Sequence, residues 1–448
     1  MKAFKAYDIR GVWNTDFNYD DVYRIGFYLP ELLGADTLLI GRDVRISSPE
    51  IFDALTTGIT DAGANVDSIG LATTPLVYWA TAKYGYKASV QITASHNAPE
   101  YNGLKVSGEE ARPVGYDSGL SELQKMILQS PEPVKTKGSI REINVYDDYL
   151  TFQSQYKSDL SNLKISMDIS NGMAALFARP LFGDEIRYLF EEPDGTFPNH
   201  YPNPLNPENI KDLQRDVLEN QSDIGVIFDG DADRVMFVDE NGDFISPDLM
   251  IAVLGNHFLS EGKNARVLQD IRTSKAVGEY LKPMGAEMHM WRVGRAYAAL
   301  KLKEIDGLFG GELAGHYYFK DFYYSDSGIM AALILLDIIA QKKREGITVS
   351  ELIKMISGYH NSGEINFRVE KKQEAMDAVK SHFETIEKPA GFYDFDGYRI
   401  EYKDWWLNIR PSNTEPYLRF LCEAKDPDVL NEVVATVKEI VKSLSKIS

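Results

Sequence analysis

Three aspartates alternate along one short loop of the sequence. Asp229, Asp231 and Asp233 follow the apolar run 224–228, and Arg234 comes directly after them. Carboxylates held this close together in a dry site repel one another unless a cation neutralises them. Oxygen ligands suit a hard ion, and carboxylates combined with a phosphate oxygen suit Mg²⁺ especially well. The loop therefore predicts a magnesium site, with a solvated acidic turn as the plain alternative.

A calcium-binding loop is a second alternative for this segment. Glu240 stands at the twelfth position counted from Asp229, where such a loop carries its last ligand. Arg234, however, occupies the position of the required glycine, and strands rather than helices are expected on both sides of the loop. Mg²⁺ therefore remains the predicted ion.

A serine stands at the end of another predicted strand. Ser95 follows the predicted strand 90–93, and His96 is its neighbour. Proteins of the α/β class usually bind ligands at the carboxyl ends of their strands. The G-x-S-x-G elbow is missing, which argues against a serine hydrolase. Ser95 is thus a candidate nucleophile, although a serine at a strand end is more often a loop residue or a helix cap.

A third loop, residues 310–316, combines glycines with groups that recognise sugars. Glu312 and His316 can exchange hydrogen bonds with hydroxyl groups, and the glycines allow close approach of the backbone. A turn between two strands explains the glycines equally well. The loop predicts a sugar site only in combination with the other loops.

A fourth segment gathers the donors that a phosphate dianion needs, namely guanidinium, hydroxyl and amide groups. These residues are Arg410, Ser412, Asn413, Thr414 and Arg419. The plain alternative is a surface turn bounded by Pro411 and Pro416. The cluster is notable because the chain as a whole is strongly acidic.

The elements around these loops alternate between strands and helices. The segments 164–169 and 224–228 are predicted strands, and 49–61 is a predicted helix that begins at Ser48-Pro49. This alternation favours layered α/β domains, and 448 residues are enough for three or four of them. From about Gly363 the pattern changes to short strands with a closing helix at 427–445, which predicts a separate α+β domain.

Composition and charge narrow the functional class. The chain has 44% hydrophobic and 26% charged residues, and its formal net charge is −19. That charge argues against nonspecific binding to nucleic acid or to an anionic membrane. The apolar stretch 328–340 is too short to cross a bilayer and carries Asp337, so it predicts a buried helix. The single cysteine, Cys422, and an N-terminus without a secretory pattern predict a cytoplasmic protein.

In chain order the motifs resemble those of the α-D-phosphohexomutase family. Besides the four loops, the likeness includes Ala6-Tyr7-Asp8-Ile9-Arg10-Gly11 and Tyr101-Asn102-Gly103-Leu104-Lys105. It covers the whole chain and is greatest for the bacterial phosphomannomutase/phosphoglucomutase branch. Two details favour that branch, Ser412-Asn413-Thr414 and His316-Tyr317-Tyr318-Phe319.

The resemblance implies an α/β fold with four domains around a central cleft. Three similar α/β/α domains with mixed sheets are expected in the ranges 1–144, 145–246 and 247–358, and a C-terminal α+β domain in 359–448. The implied reaction interconverts mannose 1-phosphate and mannose 6-phosphate, and also the corresponding glucose phosphates. It proceeds through a phosphoserine enzyme and a hexose 1,6-bisphosphate. The alternatives are a phosphoglucosamine mutase and a non-catalytic protein that binds sugar phosphates.

The resemblance also implies the cofactors and partners. Mg²⁺ is the expected metal, and glucose 1,6-bisphosphate or mannose 1,6-bisphosphate is the expected activator. The expected partners are small hexose phosphates, with no nucleic acid and no membrane. Ser95, as the phosphoserine, is expected to share the metal with Asp229, Asp231 and Asp233.

The remaining site residues are carried over by position. The transferring phosphoryl group is expected to be surrounded by Arg10, His96, Lys105 and Arg234. Glu312 and His316 are expected to contact sugar hydroxyls, and Ala314 stands where many members of this branch have serine. The residues expected at the distal phosphate are Arg410, Ser412, Asn413, Thr414 and Arg419. Arg272 and Arg295 stand where relatives often have Lys and His, so they are further candidates for substrate contact.

The general base stays open between two residues. Lys105 and His96 are both candidates, because surrounding cations can lower either pKa.

Overall fold

Four β-sheets follow one another along the chain. The computed structural model describes residues 2–259, 265–412 and 417–445. Each sheet of this described part lies inside one of the four ranges expected from the sequence, which we call domains I to IV. The domain boundaries themselves stay predictions.

Domain I is a sheet with helices packed on it. Its elements are β1 (Ile9–Val12), α1 (Tyr19–Leu33), β2 (Thr37–Arg42), α2 (Ser48–Asp61), β3 (Asn65–Leu71), α3 (Thr74–Tyr84), β4 (Ala88–Ile92), β5 (Tyr101–Gly108), α4 (Leu120–Met126) and β6 (Ile140–Glu142). The strand order is β1-β5-β4-β2-β3-β6. The central strands are parallel, and β5 runs antiparallel to both β4 and β1.

Domain II has a mixed sheet of five strands in the order β11-β10-β9-β7-β8. Its elements are α5 (Tyr146–Ser154), β7 (Ile165–Asp168), α6 (Ala178–Phe182), β8 (Arg187–Leu189), α7 (Lys211–Asn220), β9 (Ile224–Phe228), β10 (Val235–Asp239) and β11 (Phe244–Ile245). Asn241-Gly242 is a pair of residues that favours a hairpin turn, and the strands on either side of it, β10 and β11, do pair antiparallel.

Domain III has a sheet of four strands in the order β13-β12-β14-β15. Its elements are α8 (Leu249–Phe258), β12 (Ala265–Asp270), α9 (Lys275–Leu281), β13 (Ala286–Trp291), α10 (Arg295–Glu304), β14 (Phe309–Gly311), β15 (Tyr317–Phe319), α11 (Gly328–Arg344) and α12 (Val349–Ile356). The apolar stretch 328–340 forms the buried part of α11, as predicted. No helix in the described ranges combines the length and the hydropathy that crossing a membrane requires.

One arrangement of four strands recurs in domains I, II and III. Its first strand is β2, β7 or β12, which lies between two parallel neighbours. One of these neighbours, β4, β9 or β14, then pairs antiparallel with β5, β10 or β15. Each of the first three candidate loops connects this last pair of strands. Equivalent positions in three similar units therefore carry Ser95, the three aspartates and Glu312.

An aspartate turn ends the first strand of each unit. The carboxylates of Asp43, Asp168 and Asp270 each accept a hydrogen bond from the backbone N–H two residues later, at 3.0, 2.7 and 2.6 Å respectively. Such a turn allows the chain to leave the sheet sharply with its polar groups satisfied. The loops that follow the first strands thus lie beside the candidate loops at the same edge of each sheet.

Domain IV has a different, antiparallel sheet in the order β16-β21-β20-β19-β18, with β17 paired to β21. Its elements are β16 (His360–Asn361), β17 (Ile365–Phe367), α13 (Lys372–Ile386), β18 (Gly391–Tyr393), β19 (Tyr398–Glu401), β20 (Trp405–Pro411), β21 (Leu418–Ala424) and α14 (Pro427–Ser445). The predicted α+β architecture is confirmed.

The buried apolar clusters also separate domain IV from the first three domains. Trp79 of domain I, Phe177 of domain II and Tyr317 of domain III are buried in one continuous cluster. Domain IV has its own core, in which Phe420 packs with Val437. Burial of aromatic and aliphatic area between the first three domains fixes their loops relative to one another.

Candidate active site

Ser95 sits in a strained turn after β4. Its φ of 52° lies in the left-handed region, which a residue with a side chain rarely adopts. The Thr93 hydroxyl accepts the Ser95 N–H at 2.9 Å, and Ser95 is only 1% exposed. Strain of this kind persists only where the surroundings impose it, and it is concentrated at functional sites.

The loop from domain II packs directly against this turn. The Ser95 hydroxyl donates to Asp229 Oδ2 at 2.9 Å and lies 3.1 Å from His96 Nδ1. A Cβ added to Gly230 would approach the Ser95 carbonyl oxygen to 2.6 Å, so only glycine fits at that position. The predicted nucleophile and the predicted metal loop are therefore in contact.

The three aspartates form one buried group of carboxylates. One oxygen from each of Asp229, Asp231 and Asp233 lies within 4.8 Å of the others. Thr74 donates to Asp231 Oδ2 at 2.5 Å, while Lys105 donates to the same oxygen at 2.6 Å and also to Asp233. The other oxygens, Asp231 Oδ1 and Asp233 Oδ1, are buried without a hydrogen-bond partner among the described residues. These oxygens suit a hard divalent cation, so the residues fit Mg²⁺.

Charge is unevenly distributed within this group. Burial raises the pKa of Asp229 well above its ordinary value, and the charges of Asp231 and Asp233 act in the same direction. Burial also opposes the charge of Asp233, but the Lys105 ammonium beside it holds the pKa of that carboxyl below its ordinary value. A cation beside Asp229 would relieve the repulsion and favour the fully ionised site.

The two candidate bases differ in their surroundings. Burial lowers the pKa of His96 well below its ordinary value, and Arg234 and Arg10 add to the effect. Burial also opposes the charge of Lys105, yet Asp231 and Asp233 raise its pKa above the ordinary value. The expectation that neighbouring cations lower both pKa values is therefore wrong for Lys105, because two carboxylates face its ammonium group.

A chain of polar contacts extends from the aspartates into domain III. Arg234 donates through Nε to His316 Nε2 at 2.9 Å. His316 Nδ1 lies 2.6 Å from Asp326 Oδ2, and the other oxygen of Asp326 accepts from Arg295 Nε at 3.0 Å. The Nδ1 of His316 therefore carries the proton, because Nε2 already accepts one hydrogen bond. His316 is thus oriented before any ligand arrives.

Arg295 and Arg10 are both fixed by contacts with neighbouring side chains. The Arg295 guanidinium lies 3.5 Å from the centroid of the Tyr78 ring, which joins domain III to domain I. Arg10 donates to Asn97 Oδ1 at 2.9 Å and pairs with Asp8. A guanidinium group that its neighbours hold in this way is preorganised to stabilise negative charge.

In the third candidate loop, residues 310–316, the Glu312 carboxylate is held by two hydrogen-bond donors. Gly294 N–H donates to Glu312 Oε1 at 2.5 Å, and the Tyr318 hydroxyl donates to Oε2 at 2.8 Å. Burial raises the pKa of Glu312, although it stays oriented by these two donors. The Tyr7 hydroxyl donates to Val293 O at 3.0 Å beside it, so the N-terminal motif also reaches this loop.

Arg272 follows the aspartate turn of domain III. Its guanidinium pairs with Asp270, at 2.7 Å between Nη2 and Oδ2. Arg272 as a whole is 7% exposed. Asp270 Oδ2 also accepts from Leu313 N–H at 2.9 Å. Arg272 is thereby tied to the loop that carries Glu312.

Two arginines of domain IV stand directly opposite each other on β20 and β21. Arg410 and Arg419 are a cross-strand pair, an arrangement that like charges disfavour. Arg410 lies 3.1 Å from Asp396, and Arg419 lies 3.0 Å from Glu364. A pair of guanidinium groups on one face is a suitable binding site for a phosphate dianion.

Asp396 also joins domains III and IV, because its Oδ2 accepts from Val293 N–H at 2.9 Å. Ser412 N–H, just after β20, donates to Tyr417 O, just before β21, at 2.9 Å. The predicted contacts of Asn413 and Thr414 lie outside the described residues. Asp396, the partner of Arg410, therefore contacts the same part of domain III as Glu312, which accepts from the next residue, Gly294.

Several supporting residues are not evident from the motifs. Asp326 and Asp396 orient His316 and Arg410, and Tyr318 orients Glu312. Tyr318 lies in a motif that the sequence already indicates, but the two aspartates stand in unremarkable segments. They are recognisable only once the fold brings them to their partners.

Comparison with known proteins gives the same picture over the whole chain. Family models described as phosphoglucomutase/phosphomannomutase match in four parts: alpha/beta/alpha domain I at residues 1–130, domain II at 144–242, domain III at 246–359 and the C-terminal domain at 364–440.

Individual relatives agree. A phosphomannomutase of Methanocaldococcus jannaschii is 34% identical over 99% of this chain and 98% of its own length. One of Salmonella montevideo is 35% identical over 99% of both chains. A crystal structure of a phosphoglucomutase/phosphomannomutase family protein from Burkholderia thailandensis superimposes with a TM-score of 0.88 at 28% identity, covering 100% of this chain and 98% of the other.

Proposed function

Because the chain belongs to the phosphoglucomutase/phosphomannomutase family, we propose that it interconverts mannose 1-phosphate and mannose 6-phosphate through a phosphorylated Ser95. The family makes it an isomerase that acts by phosphoryl transfer. The observation that carries the proposed mechanism is the contact between Ser95 Oγ and Asp229 at 2.9 Å, inside a buried group of three aspartates.

The proposed reaction moves one phosphoryl group at a time. The phosphoryl group on Ser95 passes to the free hydroxyl of a hexose 1-phosphate and gives a 1,6-bisphosphate. The bisphosphate then turns over within the cleft, and Ser95 takes the phosphoryl group from C1 to leave hexose 6-phosphate. Transfer of this kind depends mainly on positioning and on neutralising charge.

Each residue near Ser95 receives a proposed part in this step. Asp229, Asp231 and Asp233 would hold Mg²⁺, which when bound neutralises charge on the transferring phosphoryl group. Lys105 stays protonated, since its pKa is raised, and together with Arg10 it stabilises the developing negative charge. The proton of the attacking sugar hydroxyl must reach Ser95 Oγ as the phosphoryl group leaves it. We assign this relay to His96, which is neutral at pH 7 because its pKa is lowered and which lies 3.1 Å from that oxygen.

The distal site must accept the substrate in two orientations. We propose that Arg410 and Arg419, with Ser412, Asn413 and Thr414, hold whichever phosphate is not reacting. Glu312 and His316 would contact the hydroxyls at C3 and C4, whose positions nearly coincide after the turn. Mannose and glucose differ only at C2, so the proposal includes the glucose phosphates as substrates and glucose 1,6-bisphosphate as activator.

Arg410→Ala is expected to raise KM for mannose 1-phosphate roughly 10- to 100-fold, which corresponds to about 1.5–3 kcal/mol for a lost charged hydrogen-bond partner. It should also release bisphosphate during turnover, because the anchor weakens while the other end moves. Steady-state kinetics and release of labelled bisphosphate measure both effects. Arg368→Ala, which removes an exposed arginine of the same domain, is the control and should change neither. Unchanged KM and release in Arg410→Ala would contradict the two-ended site.

Glu312→Gln is expected to lower kcat/KM roughly 10- to 100-fold, since the buried carboxylate accepts charged hydrogen bonds that an amide cannot fully replace. The fold should survive, because glutamine has nearly the same volume. The measurement compares kcat/KM and the melting temperature with those of Glu304→Gln, an exposed change on α10. Equal kcat/KM in both variants would remove Glu312 from the site.

Turnover itself tests the proposed function and its substrate. Purified protein is incubated with Mg²⁺, a trace of glucose 1,6-bisphosphate and, in turn, mannose, glucose and glucosamine 1-phosphate. We expect rapid conversion of the mannose and glucose phosphates. Preference for glucosamine 1-phosphate would instead identify a phosphoglucosamine mutase, and binding without any conversion would identify a non-catalytic sugar-phosphate protein.

We also propose that the protein works in the cytoplasm. The chain has one cysteine, Cys422, which is buried and has no second cysteine with which to form an internal disulfide. Such usage suits a reducing compartment.

A further inference from the structure

Arg45 lies in the loop after β2, next to the turn that carries Ser95. We infer that Arg45 is a positioning residue, which holds the Ser95 turn in its reactive conformation and couples it to domain II. The inference rests on the proposed role of Ser95 as the phosphoryl carrier. Arg45 is 1% exposed, so it acts through the loop and not on the substrate.

The guanidinium of Arg45 donates hydrogen bonds to the backbone around Ser95. Its Nη2 donates to the carbonyl oxygens of Ser95 at 2.8 Å and Asn97 at 2.7 Å. Its Nη1 donates to those of Ala98 at 2.7 Å and Tyr101, the first residue of β5, at 3.1 Å. Three carbonyls of the loop and one at the start of β5 therefore bind one cation.

These contacts explain how the strained turn persists. Residues in the left-handed region are costly in energy and need compensation from the surroundings. Hydrogen bonds to a charged donor are stronger than those between neutral groups, so four of them oppose relaxation of the strained turn at Ser95. Without them the carbonyl groups, buried near one another, would have no common donor. The loop would then relax and move Ser95 Oγ away from Asp229.

The buried charge of Arg45 is balanced within domain I. Asp43 lies 3.2 Å from Arg45 Nε, and it also accepts from Ser48 Oγ at 2.6 Å. A paired guanidinium can stay buried, because its partner offsets the cost of losing water. Lysine cannot replace it, since one ammonium has three donors at a single point and arginine has five in a planar fork.

Domain II covers the other side of the same guanidinium. The ring of Phe197 lies over Arg45 with its centroid 4.9 Å from the central carbon, a cation–π contact. Gly195 brings this segment close, since an added Cβ would approach Val44 O to 2.3 Å. Domain II, which supplies the three aspartates, therefore also contacts Arg45, the residue that binds the Ser95 loop.

Domain III offers an internal comparison. Arg272 occupies the same position after its aspartate turn as Arg45 does after Asp43. The hydrogen bonds of the Arg272 side chain go to its own aspartate, Asp270, and none goes to a carbonyl of the described residues. The side chains of these two equivalent arginines thus bind different kinds of acceptor. Only the one beside the predicted nucleophile holds a loop by its backbone.

The test compares two equivalent substitutions in domain I. Arg45→Lys removes the forked hydrogen bonds to the Ser95 loop. Arg24→Lys is the control, because Arg24, on α1, also donates to two carbonyl oxygens, those of Ile127 and Gln129. Each variant is phosphorylated with labelled glucose 1,6-bisphosphate and isolated, and single-turnover transfer to mannose 1-phosphate is timed. Misplacing a reacting atom by about 1 Å can cost on the order of 10²-fold. We expect a loss of that order in Arg45→Lys only.

Further readouts separate positioning from stability. In Arg45→Lys the KM for mannose 1-phosphate should stay near wild type, while kcat falls. If Arg45→Lys does not fold, Phe197→Leu decides, with slower transfer at a nearly unchanged melting temperature expected. Transfer within threefold of wild type in the folded variant, or an equal loss in Arg24→Lys, would overturn the inference. A wild-type phosphoenzyme that transfers nothing would instead reject the role of Ser95, and the inference would fall with it.

Discussion

Replacing Ser95 by alanine is expected to abolish turnover and leave the fold intact. The Ser95 hydroxyl bonds only to Asp229 and His96 among the described residues, so its loss removes the phosphoryl carrier but little packing volume. Removing a nucleophile of this kind costs at least roughly 10³-fold. The measurement is kcat with mannose 1-phosphate in the presence of Mg²⁺ and bisphosphate, together with the melting temperature.

The matched control for this change is Ser107→Ala. Ser107 is buried on β5 of the same domain, and its hydroxyl has no hydrogen-bond partner among the described residues. Its replacement should leave turnover within about twofold of wild type, because no contact is lost. Activity of Ser95→Ala within tenfold of wild type would exclude Ser95 as the carrier.

Asp231→Asn is expected to weaken Mg²⁺ binding and to slow turnover strongly. Asp231 Oδ2 accepts from Thr74 and Lys105, while Oδ1 is the buried oxygen left without a partner. An amide in that place loses one negative charge and brings a donor toward Lys105 or toward the cation. We expect the Mg²⁺ concentration for half-maximal rate to rise at least roughly 10- to 100-fold.

A magnesium titration of the steady-state rate measures this change. Asp243→Asn is the control, because Asp243 is exposed on the hairpin of the same domain. It should titrate like the wild type. Unchanged half-saturation and unchanged kcat in Asp231→Asn would show that the three aspartates do not hold the metal.

The sequence predicts local features of this fold well. The strand Ile224–Phe228 and the helix Pro427–Ser445 match the predicted bounds, because each is a continuous apolar or amphipathic run with clear ends. The alternating aspartates predict a cation site because the chemistry lies within five consecutive positions. Such signals need no knowledge of the rest of the chain.

Other local predictions are wrong where tertiary packing intervenes. By its sequence the segment 174–181 favours a single helix, but it is split into a short 3₁₀ turn, Met173–Leu176, and α6, since Phe177 between them leaves helical geometry to enter the core. Ser246-Pro247 likewise favours a helix start by its residue types, but α8 begins at Leu249, with Asp248 as its cap. Burial of an aromatic side chain and an available cap outweigh the weak local preference.

Relations between distant segments could not be predicted at all from residue patterns. The common strand arrangement of domains I to III lies in backbone pairing, which different side chains can satisfy. Arg45 binds carbonyl oxygens, and these carry no mark in a sequence. The raised pKa of Lys105 likewise depends on Asp231 and Asp233, which are more than a hundred residues away in the chain.

The most direct test of the account is to locate the phosphoryl group. The protein is incubated with Mg²⁺ and labelled glucose 1,6-bisphosphate, digested and analysed by mass spectrometry, and a second sample is first chased with mannose 1-phosphate. The account predicts that Ser95 carries the label and that the chase transfers it to the sugar. Label on any other residue, or label on Ser95 that the chase leaves in place, would contradict it.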